Sequence, residues 1–219
     1  DASGGVTNNH AQVSTDDFVG DYFVVGDLTK PDVTVTIVAA TLDDSSPTSA
    51  VTFEFSEDVE DFDAADVVVV GGTLSDFTVV DGNSVTATYT ADDGLEGTGT
   101  VSVLARSYYD LIGNNGKGSS DSVEIDRLNP TVEITFLDSV LSPTNRSSDV
   151  TFVFSEDVTG FEFSEVSVTG GALTGFQMVT ATTYRATFTA DVDLETNGEL
   201  TIATGTYMDA AGNIGDAAS

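Results

Sequence analysis

The chain has 219 residues, long enough for one or two domains with real cores, and its lack of cysteine excludes disulfides and thiolate-based zinc or redox chemistry. Its 37 acidic residues face 6 basic ones, a balance that argues strongly against nucleic acid and anionic membrane surfaces as partners, because both demand positive charge. The same excess favours cations, either as calcium held by clustered carboxylates or as counterions to a solvated acidic coat. Most of the carboxylates are expected in the coat and a minority near ions. No apolar run has the length of a membrane-spanning helix, no basic-then-apolar leader opens the sequence, and Asp1 reads as the start of a mature or excised chain.

Residues 1–29 form an N-terminal arm that belongs to no repeat. It contains the apolar segment Asp21, Tyr22, Phe23, Val24, Val25, Gly26, followed by Asp27. The single histidine, His10, also lies there without a supporting partner, which argues against a Ser-His-Asp triad, and one histidine without cysteine argues against zinc.

From Pro31 onward the chain repeats itself. Sliding it by 99 residues, which lays Pro31 on Pro130, aligns Pro31–Ser120 with Pro130–Ser219, and roughly 35 of about 90 positions are identical. Val51-Thr-Phe-Glu-Phe-Ser-Glu-Asp-Val59 meets Val150-Thr-Phe-Val-Phe-Ser-Glu-Asp-Val158, and Tyr108, Asp110, Gly113 and Asn114 meet Tyr207, Asp209, Gly212 and Asn213. Two homologous domains follow, 30–128 and 129–219.

Within the first repeat, period-two alternation predicts strands near Asp32–Val38, Ala50–Ser56, Asp66–Val70, Phe77–Val80, Ser84–Thr90, Thr98–Ala105 and Ser122–Ile125, with no helical period. Gly71-Gly72 and Asp81-Gly82-Asn83 are expected to supply positive-φ turns between them. Short strands at this spacing predict an all-β chain of two tandem immunoglobulin-like β-sandwiches without the Cys-Trp-Cys core. The ends break the frame. The first repeat runs on into a last strand, Asp121–Asp126, whereas the second is expected to lack that strand. Aligned on the prolines, Asp21–Gly26 occupies the missing strand's place, with Asp27 opposite Asp126. Two readings remain open: the arm is the tail of a preceding repeat, or it is a donor strand that completes another molecule's open sandwich.

Phe154-Ser-Glu-Asp-Val158 with Gly160-Phe161, Val168-Thr-Gly-Gly171 and Asp209-Ala-Ala-Gly-Asn213, together with the Asp126-to-Pro130 linker, make the chain resemble the bacterial Ig-like domains strung in tandem in large adhesins and other cell-surface proteins. The first repeat departs from that pattern at Asp61, where the second has Gly160, and at Leu111-Ile112, where the second has Ala210-Ala211. The resemblance implies a non-catalytic extracellular spacer, often stiffened by calcium.

In a seven-strand sandwich of this kind the loops bearing Glu57, Asp58, Asp110 and Asn114 share a pole with Asp27, which defines one expected calcium site. The second gathers Asp126 from the linker, Asp92, Asp93 and Glu96 from the first repeat, and Glu156, Asp157, Asp209 and Asn213 from the second; so many carboxylates repel unless a cation neutralises them. The competing reading is that these residues only form turns. Neither the Asp-x-Asp-x-Asp-Gly loop nor a Gly-Gly-x-Gly-x-Asp repeat occurs, so any site is assembled from distant loops.

Asn145-Arg146-Ser147 fits a glycosylation acceptor. The alternating threonines of Thr34–Thr36 and Thr86–Thr90 read as outward strand residues, with a sugar- or ice-binding array as the minor alternative. The expected function is a calcium-stiffened extracellular subunit that assembles head-to-tail with copies of itself by strand donation; the alternative is a stalk segment of a giant adhesin, beside neighbouring repeats of one array.

Overall fold

The structure is a computed structural model that describes residues 26–193 and 195–219. Residues 1–25, including Asp21–Val25 of the expected donor strand and His10, lie outside the described residues, and Gly26 is in no strand. The chain divides into two compact units. The first takes the described residues up to Ala40 with Thr48–Thr90 and Thr98–Val123; the second takes Thr41–Pro47, Ala91–Gly97 and Glu124–Ser219.

The first repeat contributes β1 (Val33–Ile37), β2 (Thr41–Leu42), β3 (Thr48–Phe55), β4 (Val59–Glu60), β5 (Val67–Val70), β6 (Gly72–Asp81), β7 (Ser84–Ala91), β8 (Glu96–Val103), β9 (Tyr109–Asp110) and β10 (Ser119–Asp126). Its two main sheets run β1-β3-β7-β6 and β2-β10-β8-β5, and β4 pairs with β9. Alternation decides what is buried. In β3, Val51 and Phe53 are fully buried while their neighbours face outward, and in β10 Val123 and Ile125 point into the core. The second repeat contributes β11 (Val132–Phe136), β12 (Ser147–Phe154), β13 (Val166–Thr169), β14 (Gly171–Thr180), β15 (Thr183–Ala190) and β16 (Glu199–Ile202), ordered β11-β12-β15-β14 and β13-β16. The all-β, tandem sandwich expectation holds for the described residues.

Aromatic edges fill both cores. Phe62 lies 4.9 Å from Phe55 and 5.4 Å from Phe53, and Phe161, its equivalent, lies 4.9 Å from Phe154 and 5.1 Å from Tyr184. Tyr108 and Tyr207 act as latches. The Tyr207 hydroxyl faces the carbonyls of Pro130 and Asp216 at 3.1 and 2.9 Å, and Tyr108 faces those of Pro31 and Lys117 in the same way. Burial, then the Asp216 carboxylate, push the Tyr207 phenol up to about 12, so it remains a donor at neutral pH. Gly116 and Gly215 lie flat on these rings: a Cβ at either would come within 2.2 Å of the tyrosine. Gly215→Ala is therefore expected to cost about 2 kcal/mol by overpacking. A thermal melt in which the second unit is unaffected would contradict that contact.

Several local expectations need correction. The expected strand at Phe77–Val80 is the ten-residue β6, because only Gly71 (φ 72°) turns, whereas Gly72 is already in the strand, where a Cβ would meet the Thr90 carbonyl at 2.3 Å. Gly82 and Asn83 form the β6–β7 turn without positive φ; a Cβ on Gly82 would come within 2.7 Å of the exposed Asp58 carboxylate, a contact that a swing of that side chain relieves. Two short 3-10 turns, Ala64–Asp66 and Phe163–Glu165, interrupt the strands. Asp61 (φ 59°) occupies the left-handed position that Gly160 (φ 81°) fills in the second repeat, which accounts for that departure: Asp tolerates the region better than most residues. Leu111 and Ile112 are about half exposed, so their replacement by alanines at Ala210-Ala211 costs no core.

Candidate metal centres

Each repeat builds the same cluster from three places in the chain. In the first unit the carboxylates of Asp27, Glu57 and Asp110 converge, with one oxygen of each within 4.8 Å of the others. In the second unit Asp126, Glu156 and Asp209 do the same. Sequence positions explain the convergence: a strand end supplies the glutamate (after β3 and β12), a tight loop supplies the buried aspartate, and the residues leading into the repeat supply the third acid.

The buried aspartate is fixed by its own loop. Asp209, 3 % exposed, accepts from the backbone N–H of Gly212 at 2.7 Å and of Asn213 at 2.9 Å, and from Asn213 Nδ2 at 2.8 Å. Asp110 accepts from Ile112 N, Asn114 N and Asn114 Nδ2. The asparagine then reaches the incoming chain: Asn114 Nδ2 donates to the Asp27 carbonyl at 3.0 Å, and Asn213 Nδ2 to the Asp126 carbonyl at 2.9 Å. Asn213 is fully buried, and its Oδ1 accepts from Asp44 N at 3.1 Å within the second unit.

Electrostatics leave these clusters under-compensated. Three negative charges this close repel by about 1 kcal/mol per pair even at the dielectric of water. The ion pairs among the described residues, Lys117–Asp32, Arg127–Asp44 and Arg127–Asp93, touch neither cluster. Burial, then Asp110 and Asp27, raise the Glu57 pKa; burial, then Asp209, Asp126, Glu96 and Asp157, raise that of Glu156. For Asp110, burial pushes upward, but hydrogen bonds from Asn114, Ile112 and Gly113 outweigh it and hold the carboxyl below its usual range.

A carboxyl with a raised folded-state pKa contributes stability that is fully present below its ordinary value of 4.5 and is lost as pH rises through the folded value. In metal-free buffer, Glu57 and Glu156 should therefore raise the melting temperature as pH falls from about 7 towards about 5. Asp110, with its depressed pKa, loses its contribution only below 3.8 and does not oppose them in that window. A melting temperature that falls across it would contradict the crowding.

The remaining expected ligands lie elsewhere or at the margin. Asp58 leans on the Gly82 turn, and Asp93 pairs with Arg127 at 3.1 Å. Asp92, Glu96 and Asp157 are exposed and stand outside the converging trios, although the charges of Glu96 and Asp157 are felt by Glu156. Arg127 went unread in the sequence. It binds Asp44 and the Ala91 carbonyl as well, and its backbone N–H donates to Leu95 O, so it ties 44, 91, 93 and 95 together. The one signal for it is its place next to Asp126, the counterpart of Asp27. Asn145 is exposed in a loop.

Hard carboxylate oxygens with amide support, and with no ion pair to a cationic side chain among the described residues, are a donor set suited to calcium and chemically unsuited to soft metals. A family model described as bacterial Ig-like domain matches residues 27–127 and 126–219. No curated protein matches the chain. Among solved structures, similarity extends to invasin, a bacterial integrin-binding protein, at 17 % identity and a TM-score of 0.37, over 78 % of this chain and 36 % of that one. The Yersinia pseudotuberculosis adhesin InvE is similar at 14 % identity and a TM-score of 0.36, over 85 % of this chain and 57 % of InvE. Domains 4–9 of the surface layer protein SbsC follow at 14 % identity and a TM-score of 0.24, over 86 % of this chain and 31 % of that one. The chain thus spans 36 % and 57 % of the two adhesins' lengths.

Proposed function

The chain belongs to the bacterial Ig-like domain family, present here as two tandem copies, and from that premise we propose that it is a non-enzymatic, calcium-stiffened element of an extracellular surface structure. One observation carries the calcium reading: the same three carboxylates, backed by the same asparagine, converge in both repeats at an offset of 99 residues, 27/126, 57/156 and 110/209. Turn formation alone explains the buried aspartate and its asparagine. It does not explain why two further acids are held against that aspartate in each repeat.

Asp27, Glu57 and Asp110 would hold one ion, and Asp126, Glu156 and Asp209 the other. Bound calcium would supply two positive charges that offset most of the trio's three negative ones, and would join separate loops. The chain's own residues do the rest: Asn114 and Asn213 orient the aspartates, and the buried backbone fixes the loops. The surface role is that of a filament subunit, assembled head-to-tail from copies of the chain by strand donation.

The test is a thermal melt with calcium and with chelator. Calcium at about a hundred times its dissociation constant stabilises by about 2.7 kcal/mol, which for a domain of this size is a shift of roughly 10 °C or more. Asp126→Ala should abolish the shift in the second unit and leave that of the first. Equal melting with and without calcium would sink the reading.

A further inference from the structure

In the first repeat β10 lies between β2 and β8, parallel to β2 with Glu124 beside Thr41 and Ile125 beside Leu42, and it drives Val123 and Ile125 to 2 % and 3 % exposure. Its neighbours Ile37, Leu42 and Ala91 are buried as a result. Their equivalents in the second repeat, Phe136, Leu141 and Ala190, are only partly buried. Between them lies an open groove of roughly 970 Å³ with Phe188 in its floor, rimmed by Val140 (83 % exposed) and Val192 (69 % exposed). Among the described residues β16 pairs with β13 alone, apart from a bridge from Ile202 to Ala218. A β-strand with alternate apolar side chains is what this edge and floor accept.

We propose that this groove receives residues Tyr22–Gly26 of a second copy of the chain as a parallel neighbour of Val140-Leu141. The first repeat shows the required occupant, and the phase comes from the carboxylate clusters. Asp27 stands among Glu57, Asp110 and Asn114 as Asp126 stands among Glu156, Asp209 and Asn213, down to the asparagine bond to its carbonyl. The residues before Asp27 are therefore in register with those before Asp126, so Val24 takes the place of Val123 and Val25 that of Glu124. Phe136 and Phe188, 5.5 Å apart, build a bulkier floor than Ile37 and Tyr89 do, and the donor answers with Gly26 where β10 has Ile125. The contact is head-to-tail and leaves one donor and one groove free at the ends, so it propagates.

This deepens the assembly reading above and is independent of calcium. The chain has no cysteine, so paired cysteines report the register without background. Glu124 and Thr41 are register partners in the first repeat; Val25 and Val140 are their equivalents, and parallel neighbours about 4.8 Å apart fall inside the span a disulfide bridges. The double variant Val25→Cys/Val140→Cys, oxidised in calcium and in chelator, should run as a ladder of disulfide-linked dimers, trimers and longer chains. Each single variant and the off-phase pair Val24→Cys/Val140→Cys should not. Appending a second Asp-Ser-Val-Glu-Ile-Asp, the sequence of residues 121–126, after Ser219 should fill the groove within each molecule and erase the ladder. Three outcomes overturn the proposal: no disulfide, a disulfide confined to one molecule, or a ladder that persists with the appended strand. Loss of the calcium-dependent melting shift alongside an intact ladder would strike only the metal reading. Single variants that melt like the parent exclude misfolding, and Val140 is exposed enough to tolerate the change.

Discussion

Asp209→Ala should lower the stability of the second unit by about 4 kcal/mol in saturating calcium, of order 20 °C in melting temperature, and by about 1 kcal/mol in chelator. The difference between the two conditions is the informative quantity. Without metal, the variant loses three hydrogen bonds to a nearly buried carboxylate, from Gly212 N, Asn213 N and Asn213 Nδ2. Part of that loss is returned, because Asp126 and Glu156 no longer face a third negative charge. With metal there is no such return, and the whole linkage term disappears. Asp209→Asn separates the parts: it keeps an acceptor for the loop and removes the charge. If Asp209→Ala and the parent shift equally with calcium, Asp209 is a loop residue and nothing more.

A comparable loss, about 4 kcal/mol, is expected from Phe161→Ala. Phe161 is 4 % exposed and meets Phe152, Phe154, Phe176 and Tyr184 edge-on at 4.9–5.6 Å, so truncation opens a cavity and removes the ring contacts together. Phe62→Ala in the first repeat should cost somewhat less, because Val85 stands where the second repeat has Tyr184 and offers no ring. Two units need not unfold together, so calorimetry should resolve a lowered transition beside an unchanged one. A uniform drop of both transitions would contradict the independence of the two cores.

What the sequence disclosed depended on how many residues each feature spans. The repeat and the long strands were readable because Val51-Phe53-Phe55 and Val150-Phe152-Phe154 alternate over enough positions to define a period. Strands of two residues, β2, β4 and β9, have no period to read. Glycine conveyed less than its type implies: Gly71 is present for its φ, but Gly72, Gly116 and Gly215 are present because something lies against them.

The acidic clusters were legible in part for the same reason. Repeat equivalence picked out the loop acids and the linker aspartates, yet composition cannot tell in which direction a carboxylate points. Asp93 turns to Arg127 and Asp58 to the Gly82 turn, while Glu57 and Glu156 turn inward. The latches of Tyr108 and Tyr207 were visible only as one more identical pair, since a hydroxyl aimed at carbonyls 9 and 77 residues away leaves no local pattern.

Isothermal titration of calcium into the metal-free 219-residue chain tests the central claim most directly. Two ions of similar affinity should bind, one should be lost in Glu156→Gln, the other in Glu57→Gln, and both in the double variant. Binding that is absent, or that survives the double variant unchanged, would contradict the account of these carboxylates as paired calcium sites.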